Sequence, residues 1–196
     1  AIVSTGLVGA AGRVQAWGVG PGLGVGDDAR QVVADVLSSD VPVVVDADAL
    51  TIIAREPALV SSRVAQTVVT PHLGEFSRLA PDLDLSANPV AAVRELAVRL
   101  NCTVLAKGAT TIVADADGQV RLNLTGTPWL ASGGTGDVLT GVIAALLAGG
   151  VSAIDAASAG AFLHGIAGRL ASDGAPTTSD AVAAALPDAI RAVSGT

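Results

Sequence analysis

Apolar residues in this chain fall in short blocks separated by glycine, proline and acidic turns. Val14–Val19, Val41–Val45, Val68-Val69 and Thr103–Ala106 are strand-like. The second is a continuous apolar run ending in Asp46-Ala47-Asp48, the pattern of a strand covered on both faces, as in a parallel sheet. Helical stretches lie between these blocks. One starts at Asp27 or Asp28, either of which can cap it, and runs to about Leu37 with Val32, Val33, Val36 and Leu37 on one side. Ala49–Ala54 and Gly74–Leu79 are shorter. Asn88 caps a helix that has Pro89 at its first position and runs to Leu100. Thr111–Ala114 and Val120–Leu124 flank Asp117-Gly118, a hairpin signal.

The glycine-rich turn Gly133-Gly134-Thr135-Gly136 comes next, then one acid, Asp137, and the uncharged run Val138–Ala148. This predicts a loop feeding a buried helix. Ile154–Ala171 predicts a long helix whose small residues allow close packing against another subunit. Ser179 is expected to cap a last helix that Pro187 interrupts. Strand, loop and helix recur, with one late antiparallel hairpin. The reading is an α/β layered fold with a mainly parallel sheet, a single domain over residues 1–196.

Composition narrows this picture. Hydrophobic residues make up 51% of the chain and aromatics 2%, so the core is built from Ala, Val, Leu and Ile. A net charge of −7 argues against nucleic acid as a partner, and any bound phosphate must be held by local N–H groups and one or two cations. Cys102 is the single cysteine, which rules out an intrachain disulfide and reads as buried and inert. No run reaches the roughly 18 apolar residues of a membrane span, and the start lacks a signal-peptide pattern. The expectation is a cytoplasmic protein without a membrane partner.

Parallel sheets bind ligands beyond the carboxyl ends of their strands. Gly20–Gly24, Asp46–Asp48, Thr70–Glu75 and Lys107–Thr111 are expected on that rim, around the helix that opens after Gly136. Helix-opening N–H groups and their dipole favour an anion, often a phosphate. Asp137 would be repelled by a phosphate, so its use there is as a proton acceptor or a cation partner. Gly20-Pro21-Gly22-Leu23-Gly24 serves equally as a phosphate loop or a structural turn. Asp46-Ala47-Asp48 is a metal pair or, the favoured reading, a strand-end cap. His72 faces the rim as a ligand contact, and Glu75 pairs with a cation or occupies a helical first turn. Lys107, the only lysine, contacts phosphate or pairs with a carboxylate. His164 reads as a hydrogen-bonded packing residue. Trp129 shelters the loop or packs on ligand. The chain has no Cys/His metal spacing and no serine nucleophile elbow.

Taken in order, GPGLG (20–24), VVVDADAL (43–50), VVTPHLGEFSRL (68–79), LAKGATTIV (105–113), N-x-T-G (123–126) and SGGTGDVLTGVIAALLAGG (132–150) resemble the ADP- or ATP-dependent NAD(P)H-hydrate dehydratase family. GTGD alone is common to many kinases of the same fold; TPH-x-GE, KG-x-x-T and GTGDVL-x-G together are far more specific. The resemblance implies a ribokinase-like three-layer fold and a repair reaction. The S-form of hydrated NADH or NADPH is phosphorylated by ADP or ATP, with Mg²⁺ as the cation, and then loses phosphate. It implies Asp137 as catalytic base and substrate contact, and an anion hole at Gly134, Thr135 and Gly136. Gly22 and His72 match substrate contacts. Lys107, Gly108, Ala109, Thr110, Thr111 and Gly136 match nucleotide contacts. Metal ligands are not identified. A homo-oligomer is expected, with a tetramer as one candidate. Thr127 stands where the family usually has Asn, and the family's first βα unit is absent, so an N-terminally truncated domain is expected. A ribokinase-like kinase for a vitamin precursor and a nucleotide-binding module inactive by itself are the alternatives.

Overall fold

The computed structural model describes residues 8–195. After a short 3₁₀ turn at Val8–Ala10 come β1 (Trp17–Val19), α1 (Asp27–Leu37), β2 (Val43–Val45), α2 (Ala47–Arg55), α3 (Ala58–Ser61), β3 (Thr67–Val69), α4 (Leu73–Leu79), α5 (Pro89–Leu100) and β4 (Thr103–Ala106). The chain continues with β5 (Thr111–Ala114), β6 (Val120–Asn123), a 3₁₀ turn at Pro128–Leu130, α6 (Thr135–Ala148), α7 (Ala153–Ser172) and α8 (Ser179–Ser194). The strands form one sheet in the order β1-β2-β3-β4-β5-β6, parallel through β4 and antiparallel across β4–β5–β6.

The short apolar strands separate three layers because successive side chains point to opposite faces. Val43, Val45, Val69, Val104 and Ala106 pack against α1–α5. Val44, Val68, Leu105 and Val113 pack against α6 and α7 from the other side. A core so poor in aromatics is dense because many small branched residues are completely covered, with Phe76 as the single large exception. This is the ribokinase-like α/β arrangement.

Several expected boundaries shift. The strands predicted from Val14 and Val41 begin at Trp17 and Val43, where pairing between β1 and β2 begins. Gly26, not Asp27 or Asp28, is the N-cap of α1, and both acids occupy its first turn, where the helix dipole favours them. The helix expected at Ala49–Ala54 is longer at both ends. Thr178 replaces Ser179 as the cap of α8, its hydroxyl accepting from the Ala181 N–H at 3.3 Å. Pro187 does not interrupt α8. It and Ala183, whose carbonyl loses its helical partner, lie on the exposed face, where water can satisfy that carbonyl. α6 is buried along one stripe only, through Thr135, Leu139, Thr140, Ile143 and Leu147. Its other face carries Gly141, Ala145 and Ala148, which expose little apolar area.

The small residues of α7 are used within the chain, not kept for a second subunit. A Cβ at Gly160 would lie 2.7 Å from Ile143, one at Gly168 2.6 Å from Leu130, and one at Gly165 2.1 Å from the Thr125 hydroxyl. Cys102 is buried as expected, and burial pushes its thiol far above the usual range.

Candidate active site

A cavity of about 640 Å³ opens at the carboxyl ends of β2, β3 and β4. It brings together Asp46, His72, Lys107 and Gly134–Asp137, with Gly108, Ala109 and Thr111 on one wall. A larger cleft of about 790 Å³ lies between the end of α1 and the turn before β3. It sits at the strand starts and holds none of the candidate site residues named from the sequence. The 640 Å³ cavity is therefore the candidate site.

Its floor is a charged cluster. Lys107 Nζ donates to Asp46 Oδ1 at 2.7 Å, and the Thr140 hydroxyl donates to Asp46 Oδ2 at 2.9 Å. Glu75 Oε2 stands 3.8 Å from the same ammonium. The Asp46 side chain is 2% exposed and Lys107 22%. This corrects the reading of Asp46 as a side-chain cap. Asp46 occupies the N-cap position of α2 but makes no side-chain cap hydrogen bond, because its carboxylate is turned to Lys107 and Thr140. α2 then opens at Ala47 with φ 48°, a left-handed conformation that costs an alanine about 1–2 kcal/mol. Asp48 holds the neighbouring turn instead, accepting from the Gly24 N–H at 2.8 Å.

His72 caps α4. Its Nδ1 accepts from the Gly74 and Glu75 N–H groups at 3.0 and 3.3 Å, and Glu75 Oε2 accepts from the His72 N–H at 2.8 Å. Glu75 thus fills both roles considered for it, a helical first turn and the neighbourhood of a cation. The Lys107 N–H donates to the Pro71 carbonyl at 2.8 Å, which ties this cap to the end of β4.

The glycine turn is pinned from below. Thr135 is buried, and its hydroxyl donates to the carbonyls of Leu130 at 2.6 Å and Ser132 at 2.8 Å. Gly134, at φ 84°, is the N-cap of α6. A side chain there would be strained and would meet Ser179 Oγ at 2.9 Å. The Thr135 N–H reaches the Ser132 carbonyl at 3.4 Å, and the Asp137 N–H the Gly134 carbonyl at 3.1 Å. Among the described residues, the N–H groups of Gly134 and Gly136 have no partner and the Asp137 carboxylate makes no hydrogen bond or ion pair. Gly136 lies over the charged cluster; a Cβ on it would be 3.5 Å from Lys107 Nζ and 3.7 Å from Asp46 Oδ2.

α7 fixes the segment that leads into this turn. Arg169 Nε donates to the Thr125 carbonyl at 2.6 Å, and Nη2 donates to the carbonyls of Leu124 and Gly126, both at 3.2 Å. Gly165 lets Thr125 lie directly on the helix. Gly165→Ala would put a methyl 2.8 Å from the Thr125 carbonyl carbon, which is backbone and cannot swing away. Overpacking of this kind costs about 1–3 kcal/mol. It should lower the urea midpoint with the slope unchanged, and an unaltered midpoint would show that the loop yields freely.

Not every expected residue enters the cavity. Gly22 and Thr110 lie outside its lining. Trp129 lines a separate cleft with Arg169 and Asp173, and its carbonyl accepts from the Ser132 hydroxyl at 3.1 Å, just before the glycine turn. His164 is the reverse case, a correction to its reading as a satisfied packing residue. It is buried, its Nε2 has no hydrogen-bond partner, and its ring lines the cavity. Arg169, Gly165 and Thr140 also went unnoticed in the sequence. The glycines at 165 and 168 beside Arg169 were the available signal, since a close backbone approach needs glycine.

The family model that describes NAD(P)H-hydrate dehydratase matches residues 3–188. A bifunctional NAD(P)H-hydrate repair enzyme of Mycobacterium leprae is 50% identical over 163 residues, covering 82% of this chain and 34% of the relative. An ADP-dependent (S)-NAD(P)H-hydrate dehydratase of Neisseria meningitidis is 38% identical over 184 residues, covering 91% of this chain and 62% of the relative. The chain thus spans about a third of the first of these and under two thirds of the second. Among solved structures, an ADP/ATP-dependent NAD(P)H-hydrate dehydratase of Bacillus subtilis, co-crystallised with ATP and Mg²⁺ and soaked with CoA, superposes with a TM-score of 0.78. It shares 30% identity, over 90% of this chain and 66% of that one.

Proposed function

The chain belongs to the NAD(P)H-hydrate dehydratase family, and from that membership we propose that its cavity repairs hydrated NADH or NADPH, the S-form, with ADP or ATP as co-substrate. The observation that carries this reading is the open Asp137 carboxylate, one residue beyond the unpartnered Gly136 N–H, on the wall of one cavity.

Asp137 takes the proton of the hydrate's ring hydroxyl as that oxygen attacks the terminal phosphorus of the nucleotide. The new phosphorus–oxygen bond forms as the bond to the departing ADP, or AMP when ADP is the donor, breaks. The N–H groups of Gly134 and Gly136 hydrogen-bond the oxygens in flight; Thr135 contributes less, its N–H being shared with Ser132. Phosphate then leaves with the carbon–oxygen electron pair, and loss of a proton from the adjacent ring carbon restores the double bond. Gly108 to Thr111 hold the nucleotide. Lys107 acts from within its ion pair, setting the charge beneath Gly136. His72, and Gly22 in the turn outside the cavity, meet the part of the dinucleotide that extends beyond it.

Mg²⁺ fits as an ion carried by the nucleotide. No group of three or more His, Cys, Asp or Glu side chains among the described residues could cage a metal. Mg²⁺ is commonly held by phosphates, water and one or two carboxylates, and it neutralises phosphate charge. Asp137 is the one open carboxylate on the cavity wall among the described residues.

A cytoplasmic location is part of this reading, supported by a buried free cysteine. So is a homo-oligomer, up to a tetramer, for which exposed Leu122, Leu124 and Phe162 around the β6 edge offer a surface. No helix among the described residues is long and apolar enough to cross a membrane.

The test is incubation of the full chain with hydrated NADH, Mg²⁺ and either nucleotide. Return of NADH absorbance with release of phosphate is expected. Accumulation of a stable phosphorylated alcohol would favour a kinase instead, and no turnover with intact nucleotide binding would favour a binding module.

A further inference from the structure

Nε2 of His164 is the one buried side-chain polar atom without a hydrogen-bond partner among the described residues. An unpaired buried nitrogen destabilises the fold in a way that a leucine at the same place would not. The residue is only 7% exposed, yet its ring lines the cavity. Its ring neighbours the Thr135 backbone at the opening of α6, in the cavity that Gly108 and Ala109 also line. The adjacent Gly165 packs on Thr125. Gly126, on the same loop, approaches the Ala109 carbonyl, with a Cβ distance of 3.9 Å. α7, the loop from β6 and the loop after β4 therefore meet beside His164 in the lining of one cavity. Burial is the main influence on the imidazole and lowers its proton affinity; the Thr135 backbone opposes this and the Lys107 charge adds to it. A neutral ring offers one donor and one acceptor nitrogen.

We propose that His164 is a binding residue for the nucleotide co-substrate, which supplies the hydrogen-bond partner that Nε2 lacks in the protein. The broad torsion about the ring bond allows either nitrogen to swing to the cavity. The inference rests on the reading of Lys107 to Thr111 as the nucleotide wall.

Calorimetric titration of the full chain with Mg²⁺-ATP and Mg²⁺-ADP, paired with thermal melts, tests it. His164→Leu should melt at the same or a higher temperature and bind nucleotide about tenfold more weakly, the loss of one hydrogen bond in a desolvated site. His164→Gln should fall between the two. With only two histidines in the chain, the ring signals of His164 are assignable by NMR against His164→Gln, and they should shift when nucleotide is added to the wild type. Wild-type affinity in both variants, or a ring signal that does not move, overturns the proposal and returns His164 to packing. If His164→Leu does not fold, His164→Gln and the wild-type ring signal decide alone. A wild type that binds neither nucleotide overturns the nucleotide wall itself, a result distinct from the failure of His164.

Discussion

Asp137→Asn is expected to lower turnover about 10²–10⁴-fold, the usual contribution of a positioned general base, while leaving the fold and nucleotide binding in place. The carboxylate makes no hydrogen bond or ion pair among the described residues, so an isosteric amide disturbs no packing. It also removes a negative charge beside the phosphate site, so nucleotide affinity should hold or improve. The change should therefore appear in kcat, with melting temperature unaltered. Turnover within a few-fold of wild type would take Asp137 out of the mechanism and leave it as a first-turn acid favoured by the helix dipole.

Lys107→Ala should act on stability first. Among the described residues the ammonium is the only cation bonded to Asp46, whose side chain is 2% exposed, and the Thr140 hydroxyl cannot neutralise a carboxylate. Removing one partner of a buried pair typically costs about 3–5 kcal/mol, because the other charge stays behind without water. A marked fall in the urea midpoint is expected. The double variant Lys107→Met with Asp46→Asn should recover most of it, since both charges then disappear together. Nucleotide affinity measured on that stable double variant isolates the contribution of the ammonium to binding. A loss below about 1 kcal/mol in Lys107→Ala would mean that water reaches Asp46 freely.

Local signals read well in the sequence, and long-range partners did not. Asn88-Pro89 marked the start of α5 and Leu100 its end, because cap chemistry is written in adjacent residues. The apolar run at Val43–Val45 reported burial on both faces for the same reason. The hairpin around Asp117-Gly118 and the Gly134 turn into α6 also stood where the turn residues put them. Asp46, by contrast, read as a cap because its true partner lies 61 residues away. His72 read only as a rim ligand because imidazole is not among the common caps. His164 sits in an Ala/Gly-rich helix, where nothing local reveals that its nitrogen lacks a partner. Arg169 showed only through the neighbouring glycines at 165 and 168, since three carbonyl acceptors in a loop leave no side-chain pattern.

The sheet repeats the order of the chain, strand beside consecutive strand. During synthesis each strand after β1 therefore meets a neighbour that has already left the ribosome, and this part of the frame can grow vectorially along β1 to β6. Asp46 cannot be completed in that way. Its lysine follows 61 residues later and its threonine 94 residues later. A nascent chain that has reached β3 holds a carboxylate that must stay hydrated, so Asp46 stays without its partners until β4 and then α6 arrive. Translation order thus makes the β1–β3 frame before the residues that complete the charged rim.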